Sequence, residues 1–257
     1  KEAPKHYVDL ELFGDSAAWK MPMTWNAAVK KYGMDSLEHG GYVPYYIMTL
    51  KERLTAAFRK GHKDSILFYV TDLAHYIGDA HVPLHVSVNY DGQLTGQKGL
   101  HSLWETMIPE MELDKYDLRS KHKARYLKQP EKAVWKAIRQ SWLLLDDVFK
   151  QEKEASRSFT DSTKYRVQVR KGKEYKNYTS AFAKAYSARL GKTINQQLLR
   201  SVNLVADFWY TCWVDAGSPP LPAAKDNKGL KEEQEAFKHN QLIKKKLLIS
   251  RSGGSEN

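Results

Sequence analysis

Seven side chains between positions 75 and 105 are of types that bind divalent cations: His75, Asp79, His81, His85, Asp91, His101 and Glu105. His75 and Asp79 are four residues apart, and so are His101 and Glu105. On a helix this spacing puts both side chains on one face, so each pair offers an imidazole nitrogen and a carboxylate oxygen to one point. Neutral imidazole and carboxylate suit zinc and similar cations. His85 follows Asp79 by six residues, just past Pro83, and is free to face the second pair. His85, His101 and Glu105 give three protein ligands with room for water, the usual pattern of catalytic zinc. A single His–Asp pair on a helix is ordinarily a surface ion pair. Two such pairs flanking a Pro-His turn argue for a multinuclear metal site held between two helices.

The elements that must position these residues are helical. Asp64 is suited to cap a helix through residue 80, with Ile66, Val70, Leu73 and Ile77 as its apolar stripe. Pro83 bars its continuation. Residues 86–99 are rich in Gly, Asn and Asp and read as a loop. Asn89, Tyr90, Asp91 and Gln93 lie there, between the ligand groups, and are the candidate substrate contacts. A helix then carries His101, Trp104, Glu105 and Ile108. Elsewhere, Thr24 caps a short helix ending at Tyr32, and Pro44 sits in the first turn of a helix that Gly61 stops. Pro130 opens another, and from Tyr178 the helical pattern resumes, with a break at Gly191 and a stop at Gly217. Residues 1–23 read as extended, and 153–177 as a surface loop or weak helix. No segment shows strand alternation. The expectation is a mainly α protein with one helical domain over 1–222 and a charged tail over 223–257, peripheral or partly disordered.

Composition narrows the chemistry. The single cysteine, Cys212, excludes a disulfide framework within the chain and a Cys-rich zinc site. A net charge of +11 favours polyanionic partners, although basic runs such as 164–176 also make a solvated face. His81 lies off the ligand spacing and reads as structural or substrate-facing. His39, His62, His122 and His239 lack a carboxylate at ligand spacing and read as surface residues. Asp72, three residues before His75, is positioned to orient that imidazole.

HYIGDAHVPLH, a Gly-containing loop and HSLWE together resemble the zinc-dependent phospholipase C and single-strand nuclease superfamily. Its motif places His and Asp at the positions of His75 and Asp79, then His85, then His101 and Glu105; Gly78 and Pro83-Leu84 also fit. His6, in KHYVDLE, is similar to an upstream ligand of the family. The resemblance covers roughly residues 4–110. It implies a mainly α, single multi-helix domain around as many as three zinc ions. His6, His75 and Asp79 would hold one, and His85, His101 and Glu105 another. Asp79 would bridge to a third and is the implied catalytic residue. The family's other ligands, an N-terminal Trp, a His and an Asp, precede the His6 position, so a further N-terminal segment is expected before Lys1. The implied reaction is phosphodiester hydrolysis, with a metal-activated water attacking phosphorus in line. The implied substrate is single-stranded nucleic acid or phospholipid, with no obligate protein partner and a secreted or periplasmic location. Glu105 in place of Asp is closer to the phospholipase branch, and the lack of disulfides separates the chain from plant and fungal nucleases. A non-catalytic binding protein that retains a partial metal site is the alternative reading.

Overall fold

The computed structural model describes residues 2–170 and 173–221. Long helices run over Val43–Lys60, Lys63–Asp79, Pro130–Ser156, Ser180–Leu190 and Thr193–Asp215, with shorter ones at Trp25–Tyr32 and Met34–Gly40. Their limits follow local chemistry. Pro44 and Pro130 occupy first turns, where a missing N–H costs nothing, and Gly61 closes the Val43–Lys60 helix in the left-handed region at φ 66°. The mainly α class is the one expected. The charged tail expected over 223–257 lies outside the described residues, as does His239.

The apolar stripes meet in two clusters. The first packs Ile47, Leu50, Leu54 and Phe58 against Ile66, Leu73 and Ile77, and against Trp135, Ile138, Phe208 and Cys212. The second gathers Leu84, Leu100, Leu103, Trp104 and Ile108 with Val148, Phe182 and Tyr186. Trp142 packs against both. Burying this many large side chains, at about 1.5–3 kcal/mol each, is what holds the helices in register. The segment that carries the candidate ligands crosses from one cluster to the other: Ile77 and Ala80 belong to the first, Val82 and Leu84 to the second. The ligand segment therefore runs along the seam between the two core clusters.

Two stretches differ from expectation. Residues 153–177 are not a single surface loop or weak helix. The Pro130–Ser156 helix takes the first part, a turn and the short helix Asp161–Lys164 follow, and an antiparallel hairpin, Tyr165–Arg170 with Lys173–Tyr178, comes last. YRVQVR does alternate, but its apolar members Val167 and Val169 are 50% and 67% exposed, so no core drives the strand. The hairpin is anchored at its base, where Tyr165 pairs with Tyr178 and the Tyr178 ring stacks on Phe182 at 4.9 Å. The first 23 residues, expected to be extended, contain turns at Ala3–Lys5, Leu10–Phe13 and Ala17–Lys20. Short turns lack the several periods that make a helix legible.

Candidate metal centre

Three donor atoms converge at the C-terminal end of the Lys63–Asp79 helix. His6 Nδ1 lies 2.9 Å from Asp79 Oδ2 and 3.1 Å from His75 Nε2, and His75 Nε2 lies 3.3 Å from the same carboxylate oxygen. Helical spacing brings His75 and Asp79 together. His6 arrives from the N-terminal stretch, which is tied down by backbone hydrogen bonds: Val8 N donates to the His85 carbonyl, Tyr42 N to that of Pro4 and Val43 N to that of Tyr7. Gly41 makes this approach possible. It adopts φ 82°, and a Cβ there would collide with the Tyr7 carbonyl oxygen.

A second triad sits beside the first. His85 Nε2 is 2.8 Å from His101 Nε2 and 3.1 Å from Glu105 Oε2, and His101 Nε2 is 2.6 Å from that oxygen. Leu103–Met107 is a π-turn, not plain α-helix, so Glu105 sits within, and His101 just before, a local widening of a kind common at functional sites. Asp79 lies between the triads. Its Oδ2 faces His6 and His75, while its Oδ1 is 3.8 Å from His85 Nδ1.

The donor set fits metal ions. Donors around tetrahedral zinc, with bonds of about 2.0–2.1 Å, stand roughly 3.3 Å apart. The six pairwise separations above run from 2.6 to 3.3 Å. The His85 tautomer is also set. Nδ1–H donates to the His6 carbonyl at 2.7 Å, which leaves the Nε2 lone pair aimed at the triad. His6 Nε2 and His101 Nδ1 are buried without a hydrogen-bond partner.

The electrostatics point the same way. Burial disfavours the charged forms, yet the groups hold one another ionised. Asp79 and Glu105 outweigh burial and push His85 up to about 9, and His75 is raised by Asp79. Burial would raise both carboxyls, but His85 together with His6 and His75 lowers Asp79, and His85 with His101 lowers Glu105. Without a metal, protons supply the positive charge that these carboxylates require. A divalent cation would supply it instead.

The supports of the ligand segment lie far away in sequence. Ser141 Oγ donates to the Ala80 carbonyl at 2.8 Å, and Gln197 Nε2 to that of His81 at 2.6 Å, fixing the turn after Asp79. Gln97 Nε2, in the loop before His101, donates to Glu152 Oε2 at 2.5 Å and to the Phe149 carbonyl at 2.9 Å. Glu152 is 1% exposed and is neutralised by Lys164 at 2.8 Å, whose ammonium lies 5.0–5.6 Å from the Tyr165, Tyr178 and Phe182 ring centroids. Glu152, Gln197 and Ser141 are not legible in the sequence, because the groups through which they support the ligand segment lie 55, 116 and 61 residues away.

Asn89 and Gln93 are engaged within their own loop. Asn89 Oδ1 accepts from Leu94 N at 2.8 Å and Nδ2 reaches Thr95, while Gln93 Nε2 donates to the Val88 carbonyl at 2.6 Å. Asp91 Oδ1 accepts from His101 N at 3.3 Å, and the Tyr90 ring meets His101 edge-on at 6.2 Å. Of the four, Tyr90 and Asp91 contact His101 of the second triad. His81 is buried, and its Nδ1–H donates to the Ile77 carbonyl at 2.7 Å; burial pushes its pKa down to about 4. Asp72 is half-buried, and burial raises its carboxyl. His122 is not a plain surface residue. It pairs with Asp207 at 2.7 Å and is half-buried.

The S1/P1 Nuclease family model matches residues 2–203. The chain belongs to the S1/P1 nuclease family. No curated protein and no solved structure matches it. The S1/P1 family is zinc-dependent, mainly α, and hydrolyses phosphodiester bonds, and its members are typically secreted. Both triads lie inside the matched stretch.

Proposed function

We propose that this chain is a zinc-dependent nuclease that hydrolyses phosphodiester bonds in single-stranded nucleic acid. The observation that carries the proposal is the pair of triads sharing Asp79 as neighbour. His6, His75 and Asp79 would hold one zinc, and His85, His101 and Glu105 another. Zinc, when bound, supplies Lewis acidity and a water that deprotonates near neutral pH. The chain supplies the rest. The His6 carbonyl keeps the His85 proton on Nδ1, and Asp79 and Glu105 supply the anionic donors that a divalent cation needs. Glu11, which accepts from Ser87 Oγ and from Val88 N, pins the start of the loop that runs from His85 to His101. The net charge of +11 supports a polyanion over a zwitterionic lipid. No helix among the described residues is long and apolar enough to cross a membrane. By family habit, the protein is exported.

The test is turnover of single-stranded DNA or RNA and of phosphatidylcholine vesicles by zinc-loaded protein. Release of acid-soluble nucleotides that a chelator stops is the expected result. Phosphocholine release without nucleotide release would transfer the site to the phospholipase branch. No turnover of either, with zinc in place, would leave a binding protein with a retained metal site.

A further inference from the structure

Residues 116–129 join the Leu113–Lys115 turn to the Pro130–Ser156 helix without forming helix or strand. Connections of that length inside a compact fold are uncommon and usually functional. This one is pinned along its course to the Thr193–Asp215 helix. Asp117 N donates to Asn195 Oδ1 at 3.2 Å, and Asn195 Nδ2 donates back to the Asp117 carbonyl at 3.0 Å. Ser120 Oγ donates to Asn203 Oδ1 at 2.7 Å. Asp207, 5% exposed, accepts from Arg125 N at 2.8 Å and faces His122 Nε2 at 2.7 Å. Leu127 N donates to Thr211 Oγ1 at 2.9 Å. Asn203, Asp207 and Thr211 recur every four residues, so they share one helix face. From Asn195 to Thr211 this rail is about 24 Å long, at 1.5 Å per residue. It starts level with the ligand segment, where Gln197 holds the His81 carbonyl. It leads away from there, since Trp209 Nε1 donates to the Val70 carbonyl, further back on the ligand helix.

The outer side of this strap is cationic. Lys121, Lys123, Arg125 and Lys128 are exposed, and the two lysines flanking His122 stand out while its imidazole turns in to Asp207. Among the described residues, Lys121, Lys123 and Lys128 have no ion-pair partner. Arg119 does not join them, because Asp117 pairs with it at 2.9 Å. The Arg125 guanidinium reaches Asp207 Oδ2 only at 4.0 Å. The buried carboxylate that fixes the strap therefore does not neutralise its outer side. Like charges held side by side repel one another, and a polyanion relieves that repulsion. Cations that follow one another in single file fit a linear phosphate backbone better than a flat anionic surface. Contacts to phosphates position a strand without reading its sequence.

We propose that the 116–129 strap binds the phosphate backbone of single-stranded nucleic acid outside the cleavage site. The proposal rests on the nuclease reading above. Equilibrium binding of zinc-loaded protein to a long phosphorothioate oligothymidylate, measured across a range of salt, tests it. Each phosphate contact to a single strand adds about 0.7 to the slope of log affinity against log salt. Replacing Lys121→Gln, Lys123→Gln and Lys128→Gln together should lower that slope by about 2. Between about 50 and 200 mM salt, wild type should then lose roughly 15-fold more affinity than the triple variant. A control carrying Lys30→Gln, Lys60→Gln and Lys150→Gln, three exposed lysines on other helices, should keep the wild-type slope. In the unaltered protein, the long strand should slow acetylation of Lys121 and Lys123, whereas a dinucleotide should not. An unchanged slope in the triple variant, an equal fall in the control, unprotected lysines, or tighter binding to phosphatidylserine vesicles than to the strand would overturn the proposal. The expected fall in slope without cleavage of natural strands would sink the nuclease reading and leave the strap standing, while cleavage with an unchanged slope would do the reverse.

Discussion

His81 makes acid stability calculable. It is 4% exposed, its Nδ1–H is committed to the Ile77 carbonyl, and Gln197 holds its own carbonyl. Burial, only partly opposed by that hydrogen bond and reinforced by the Arg200 charge, takes its pKa from 6.5 down to about 4. The unfolded chain therefore binds more protons than the folded one below pH 6.5. Through this group stability is unaffected above 6.5 and falls as pH drops from 6.5 to 4, below which the loss is complete and grows no further. A shift of two to three units is worth about 3 kcal/mol, of which about 2.5 kcal/mol is already lost at pH 4.5. His81→Asn keeps a donor for the Ile77 carbonyl and removes the titration. Urea unfolding of wild type and variant, both metal-stripped, at pH 7.5 and 4.5 reads the effect. Wild type should lose about 2.5 kcal/mol more than the variant between the two. Asp79 and Glu105 also weaken towards acid, but they do so in both proteins and cancel. Equal losses would refute the idea that His81 is buried uncharged.

Three further outcomes are expected. In metal-stripped protein, the raised pKa of His85 contributes stability that is complete below pH 6.5 and lost as pH rises through about 9; zinc-loaded protein, whose imidazoles are already neutral, should show no such decline in urea midpoint. Glu105→Gln keeps the shape of its triad but removes the anionic donor, so metal analysis should find one zinc fewer per chain, and hydrolysis of single-stranded DNA should fall by on the order of 100-fold or more. Glu152→Ala strands the buried ends of Lys164 and Gln97 and should cost about 3–5 kcal/mol in urea unfolding, whereas an unchanged midpoint would show that this network is dispensable.

The sequence was most legible where chemistry and local periodicity coincide. His75 with Asp79, and His101 with Glu105, are neighbours on their own turns, so spacing alone paired them. Pro83 and Gly61 ended helices for steric reasons that need no neighbours. What spacing could not supply was the partner across the fold. The His122–Asp207 pair spans 85 residues, and the Glu152–Gln97 pair spans 55. His6 has no carboxylate at helical spacing and was visible only through family resemblance. The hairpin is not legible because Val167 and Val169 face solvent, which removes the inside–outside contrast that makes a strand readable. The π-turn at Leu103–Met107 was also hidden, since His101 and Glu105 keep their four-residue spacing with or without it.

The central claim is that two preformed triads hold zinc. Metal analysis of protein purified without chelator, repeated on His75→Ala and His85→Ala, tests it most directly. At least two zinc ions per chain are predicted, with each substitution removing the ion of its own triad. No bound zinc and no uptake on titration, or an unchanged zinc content in both variants, would contradict the account.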